Sequence, residues 1–219
     1  MISDFSAVEM KEIGSKSGLA VVLSKLSGFS SQKVNLEQYM TDSEIAAAIV
    51  WHSYMKGDIS GRIIADLGSG TGILGIGALL LGASKVYFVE KDPDAVKIAK
   101  ENMESIKSEF YVTGEASFIN TDISLFNQQV DVILENPPFG VQNEHSDRIF
   151  VQKAMHVANK IYTLHKSESK AFIEAMCKDN GFIVEEKIDA QFPLKASLPF
   201  HSKRMHRFKV TWFVLSRRK

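Results

Sequence analysis

Arg62-Ile63-Ile64-Ala65-Asp66-Leu67-Gly68-Ser69-Gly70-Thr71-Gly72 changes character half-way along its length. The first part is mainly apolar and reads as a short buried strand. Three glycines then alternate with Ser69 and Thr71, and the apolar segment 73–81 reads as a helix that stops at Gly82. A strand that passes through a glycine loop into a helix forms a nucleotide-binding turn. The glycines let a ligand approach the backbone, and the helix N-terminus offers unpaired N–H groups. A glycine loop alone would be weak evidence; this setting makes it informative.

Downstream, Lys85-Val86-Tyr87-Phe88-Val89 reads as a second strand tipped by Glu90. An acid at that place can accept both hydroxyls of a ribose. Asp92 and Pro93 open a helix over 95–107. Ser117-Phe118-Ile119-Asn120 is a third strand, running into Thr121-Asp122-Ile123, and 130–134 is a fourth. Asn136-Pro137-Pro138-Phe139 follows at once. Neither proline has an N–H and each fixes φ, so the strand ends there in a rigid turn. The Asn136 side chain and the Pro137 carbonyl are thereby held at the lip of the sheet as acceptors beside the flat face of Phe139. Two acceptors and an aromatic plate suit the exocyclic amino group of a planar base. These four residues are the candidate catalytic group; a strand stop with a core Phe is the plainer alternative.

Beyond a polar loop, the pattern predicts a helix over 148–159, a strand over 161–166 and a helix over 167–179. An antiparallel pair, 182–189 and 207–216, closes the chain, joined by a basic loop containing Pro193 and Pro199. Upstream, Leu19, Val22, Leu23 and Leu26 share one helical face. Thr41 is expected to cap the next helix, with Glu44 completing a capping box and Gly57 as the stop. Strands alternating with helices make this an α/β chain with a doubly wound, mostly parallel sheet. It is organised as a single domain, with a helical extension over 1–57 and a core over 58–219.

Composition excludes several classes. The chain has 219 residues, 45% hydrophobic and 24% charged, as in ordinary soluble domains. No apolar run approaches the roughly 18 residues that span a bilayer, so no membrane role is expected. The N-terminus lacks a basic start followed by an apolar stretch, and the expected location is the cytoplasm. The single Cys177 has no disulfide partner and reads as a helix residue, and the histidines show no metal-ligand spacing, so no metal is expected. The zero net charge hides an asymmetry. Residues 190–219 hold eight basic and no acidic side chains, leaving 18 basic against 26 acidic elsewhere. Lys203, Arg204, Arg207, Arg217, Arg218 and Lys219 are therefore expected to hold a polyanion such as RNA beside the catalytic lip.

Together, Asp66-Leu67-Gly68-Ser69-Gly70-Thr71-Gly72, Glu90 and Asn136-Pro137-Pro138-Phe139 resemble the S-adenosylmethionine-dependent methyltransferases of the seven-stranded Rossmann-like class. Leu36-Glu37-Gln38-Tyr39-Met40-Thr41, Tyr162-Thr163-Leu164-His165-Lys166 and Phe200-His201-Ser202-Lys203 narrow the likeness. They resemble the methyltransferase-like family that makes N6-methyladenosine in small-subunit ribosomal RNA. The resemblance implies a sheet with an antiparallel final strand and S-adenosylmethionine as cofactor. It places Gln38, Thr41, Asp66, Gly68, Ser69, Gly70, Thr71, Gly72, Ile73, Glu90, Asp122 and Ile123 at that cofactor, with Asp122 accepting from its adenine amine. It further implies RNA as substrate and, as in eukaryotic members, a small zinc-binding activator subunit as a possible partner. Related motifs also serve methyltransferases acting on protein glutamine, guanine N2 and DNA adenine, and a non-catalytic RNA-binding protein could keep the same fold.

Overall fold

The computed structural model describes residues 10–29, 40–139, 146–194 and 206–218, the side chains of residues 146, 194, 206 and 207 excepted. Seven strands form one sheet: β1 (Ile63–Leu67), β2 (Lys85–Glu90), β3 (Glu115–Asn120), β4 (Val132–Glu135), β5 (Lys160–Lys166), β6 (Phe182–Leu194) and β7 (His206–Arg217). Their order is β3-β2-β1-β4-β5-β7-β6. The pairs among β1 to β5 are parallel, whereas β7 runs antiparallel to both β5 and β6. The doubly wound sheet read from the sequence is thus what the chain forms.

Helices α1 (Lys16–Leu23), α2 (Ser43–Met55), α3 (Ile73–Leu80) and α4 (Pro93–Glu109) bury their apolar faces in one core with Ile64, Val86, Leu134 and Tyr162. Helices α5 (Ser146–Val157) and α6 (Lys170–Asp179) cover the other face, over Ala65, Leu67, Ile133, Ile161 and Phe213. Residues alternate between the two cores along each strand, which is why the central strands β1 and β4 read as nearly unbroken apolar runs. Cys177 is buried on α6, as expected. Among the described residues no helix is long and apolar enough to cross a membrane.

Two local expectations are corrected. The cap of α2 is Asp42, whose carboxylate accepts from the Glu44 and Ile45 N–H groups, so the cap is one residue later than Thr41. An Asp offers the same acceptor as a Thr, and the next position meets the helix N–H groups squarely. The closing pair is also longer than expected: Pro193 lies within β6, opposite Arg207. An outer strand tolerates proline because its missing N–H can face away from the partner.

That extra length sets the shape of the site. β7 pairs with β5 from Val210 opposite Lys166 down to Ser216 opposite Lys160. Residues 190–194 and 206–209 therefore project as a tongue past the C-terminal ends of the parallel strands, while Arg217 lies at the opposite end.

Candidate active site

The chain winds outward from β1 to β2 and β3 on one side and from β4 to β5 on the other. A crevice opens where the order reverses, beyond the C-terminal ends of β1 and β4. The glycine loop leaves β1 at this point, and the Asn136 turn leaves β4. Gly68, Gly70, Glu90, Asp122, Ile123, Asn136 and Pro138 all line the resulting cleft.

The glycine-loop side is built from backbone amides held by buried acids. Asp66 Oδ2 accepts from Gly75 N at 2.8 Å, tying the end of β1 to the first turn of α3. Burial pushes the Asp66 carboxyl up to about 7, against the lowering effect of that bond and with help from the negative Glu90. One Glu90 oxygen accepts from Gly70 N at 2.9 Å and the other from Asp92 N at 2.9 Å. Glu90 thus fixes the loop and lines the cleft at once. Gly72 starts α3 with φ of 90°, a conformation that favours glycine, and no side chain caps this helix. A Cβ on Gly75 would lie 2.4 Å from the Phe88 ring, so only glycine lets α3 settle on β2. Asn102, buried on α4, adds a clamp: it accepts from Ser27 N and donates to Ser27 O and to Thr71 O, at 2.8 to 3.0 Å. Phe29 is delivered by this clamp to the cleft wall beside Gly70.

The Asn136 side has fewer internal bonds. Asn136 Nδ2 donates to Thr41 Oγ1 at 2.9 Å, whereas Asn136 Oδ1 is buried without a partner among the described residues. Glu135, directly before it, is buried, and neither of its oxygens meets a hydrogen-bonding partner there. Burial pushes this carboxyl up to about 8; the nearby Thr163 hydroxyl opposes the shift and the Asp66 charge adds to it. Behind it, Thr163 Oγ1 and His165 Nε2 are 2.7 Å apart, and burial lowers the imidazole to about 3, which keeps it neutral. Phe139 is half-buried, its ring edge-to-face with Phe208 at 5.1 Å and with Phe192 at 5.7 Å. The tongue is fastened to the Asn136 turn by this aromatic cluster.

A model of the methyltransferase small domain matches residues 43–165. The chain belongs to the methyltransferase small domain family. The rRNA N(6)-adenosine-methyltransferase Mettl5 of Drosophila melanogaster is 30% identical over 87% of this chain and 91% of its own. Its Danio rerio counterpart METTL5 is 32% identical over 83% and 89%. The crystal structure of PH1948 from Pyrococcus horikoshii superposes with a TM-score of 0.83 at 38% identity, covering 93% of this chain and 98% of that one.

As a methyltransferase of this family, the chain takes S-adenosylmethionine as its cofactor. The cleft fits it. Among the described residues, Ser69 Oγ in the glycine loop is a buried polar atom without a partner, as expected where a polar ligand completes the site. Asp122 caps a 3-10 turn through Ser124 N, and hydrogen bonds from Ser124 hold its carboxyl below the ordinary value, so it meets the cleft as an anion. Ser69, Thr71, Gly72 and Ile73 belong to the loop and the start of α3; Asp66 lies beneath the loop and acts on its shape. Pro137 is buried in the turn. Gln38, Lys203, Arg204 and Lys219 lie outside the described residues, as does the Arg207 side chain.

The expected place of the C-terminal tail is corrected. The Arg217 guanidinium donates to Asn159 Oδ1 at 2.8 Å and to Met155 O, and lies 4.7 Å over the Phe182 ring. Arg218 N donates to Gly181 O. Both residues stand at the far end of the sheet from Asn136, because β7 runs away from the Asn136 turn. Sequence reasoning also missed Phe29, Asn102 and Phe150, which lines the cleft against Gly68. Nothing local marks them. Glu135 did carry a signal, being an acid at the end of an otherwise apolar strand.

Proposed function

We propose that the chain transfers a methyl group to the N6 amino group of an adenosine in RNA, with small-subunit ribosomal RNA as the target. The observation that carries this reading is the Asn136 amide, fixed at the switch point with one oxygen left to accept. Two relatives that cover most of the chain are named as rRNA N6-adenosine methyltransferases, which supports the same nitrogen.

The N6 lone pair is delocalised into the adenine ring and is a poor nucleophile. Asn136 Oδ1 and the Pro137 carbonyl each accept one N6 hydrogen, which favours a pyramidal nitrogen and frees its lone pair along the line of attack. Phe139 stacks on the target base, a contact worth about 1–3 kcal/mol that offsets part of the cost of unstacking it from RNA. Glu90 and Asp122 hold the ribose and the adenine amine of the cofactor, with the glycine loop against its remaining polar groups. When bound, S-adenosylmethionine would supply the methyl group from its sulfonium and would leave as the neutral thioether. The surplus N6 proton leaves to water, and no carboxylate base is required. Lys203, Arg204 and Arg207 hold the phosphate backbone of the RNA.

The test is methylation of cellular RNA by the purified chain with labelled cofactor, followed by nucleoside analysis. Label in N6-methyladenosine supports the reading; label in N2-methylguanosine, or only in protein glutamine, overturns it. Running the assay with and without a small zinc-binding activator subunit decides whether the chain works alone.

A further inference from the structure

Of the described residues before α2, Phe29 lines the cleft. The tip of its ring is 3.2 Å from the place a Cβ would take on Gly70, the residue whose N–H donates to Glu90. Two residues earlier the backbone is tied down by Asn102, 4% exposed on α4. Ser27 N donates to Asn102 Oδ1 at 2.8 Å, and Asn102 Nδ2 donates at 3.0 Å both to Ser27 O and to Thr71 O. A backbone N–H can only donate and a carbonyl only accept, so these partners fix which end of the amide is which. Gly28, between Ser27 and Phe29, packs against Met40, whose Sδ is 3.2 Å from the site of a Gly28 Cβ. Asn102 itself is not part of the described lining of the cleft. One buried side chain thus joins the glycine loop, through Thr71, to the segment that carries Phe29.

We propose that Phe29 contacts bound S-adenosylmethionine and that Asn102 is the positioning residue that holds it there. The cofactor combines a flat purine with a sulfonium cation, and an aromatic ring is an apolar surface suited to both. The segment before α2 then belongs to the cofactor site, beside the glycine loop and Glu90. By reciprocity, a cofactor that gains affinity from a held Phe29 must in turn tighten the hold on Ser27. The inference depends on the cofactor alone and stands whichever nitrogen accepts the methyl group.

The experiment measures the calorimetric Kd for S-adenosylmethionine and the melting temperature of Phe29→Ala, Asn102→Ala and the double variant, beside wild type. Phe29→Ala is expected to raise Kd about tenfold, and Asn102→Ala about three- to tenfold. The double variant should bind no more than about twofold weaker than the worse single one, because both changes remove the same contact. A Kd within about twofold of wild type in Phe29→Ala overturns the inference. So does an Asn102→Ala protein that melts earlier but binds normally, since Asn102 would then serve the fold alone. Losses that multiply in the double variant overturn it as well, because the two residues would then act independently. If Asn102→Ala does not fold, wild type decides that half through amide hydrogen exchange at Ser27. Slower exchange with saturating cofactor supports the coupling, and an unchanged rate overturns it.

Discussion

The two walls of the cleft are finished to different degrees. On the glycine-loop wall both Glu90 oxygens, Asp66 Oδ2 and the Asn102 amide are bonded within the chain, while Ser69 Oγ has no partner among the described residues. On the Asn136 wall, among the described residues, Asn136 has one bond and an oxygen without a partner, and the neighbouring Glu135 carboxyl has only the nearby Thr163 hydroxyl as a hydrogen-bonding neighbour. Buried polar atoms without partners are costly, and natural chains keep few of them. The difference is that the glycine-loop wall takes its shape from bonds within the fold, while the wall at Asn136 keeps buried polar atoms without partners among the described residues.

The sharpest way to break this contrast is Asn136→Ala. Turnover should fall by a factor on the order of 10² or more, while S-adenosylmethionine affinity stays within about twofold. Single-turnover methylation and calorimetry on the same preparation check both halves, and equal losses in both would erase the division of labour. Glu90→Ala attacks the opposite wall. Removing charged hydrogen bonds of about 1.5–3 kcal/mol should weaken cofactor binding by roughly 10–100-fold. Turnover should partly return at high cofactor concentration, and an unchanged Kd in a folded variant would remove Glu90 from the site.

A smaller effect separates the two ends of β7. Neutralising Lys203, Arg204 and Arg207 should lower the salt-dependence slope of RNA affinity by about one unit per lost phosphate contact, with cofactor affinity unchanged. Arg217→Ala should lower the melting temperature and leave that slope alone, since its guanidinium is engaged with Asn159, Met155 and Phe182. Parallel, superimposed salt curves for the triple variant and wild type would show that the tongue does not hold RNA.

The smallest effect concerns the acids beneath the walls. Glu135 is raised from its ordinary 4.5 to about 8, so the folded chain keeps a proton that the unfolded chain releases. Stability from this source is whole below about pH 4.5 and declines as pH rises toward 8. Asp66 acts the same way between 3.8 and about 7, where its bond from Gly75 N limits the loss. Glu135→Gln should therefore flatten the fall in melting temperature between pH 5 and 8. Thermal melts across that range check it, and an unaltered slope would mean that Glu135 is charged in the folded chain.

Much of the fold was legible because its causes are local. The runs of β1, β2 and β4, the glycines at 68, 70 and 72, the cap at Asp92 and the stop at Pro137 each act over a few residues, and periodicity or φ preference reports them directly. The same locality singled out Glu90 and Asn136 as candidates, since both sit at strand ends where the next residue changes character. Only the tertiary structure decided the partners. Thr41 reaches Asn136, Asn102 reaches Thr71, Phe139 meets Phe192 and Phe208, and Arg217 turns away from the lip. Each pairing joins residues far apart in the chain, and its geometry depends on strand order and on the direction of β7. The hydrophobic pattern of a strand states which face is buried but is the same whether the strand runs up or down the sheet. Direction is set by which pairing the whole chain can close, and that choice placed the tongue beside the Asn136 turn and Arg217 at the other end.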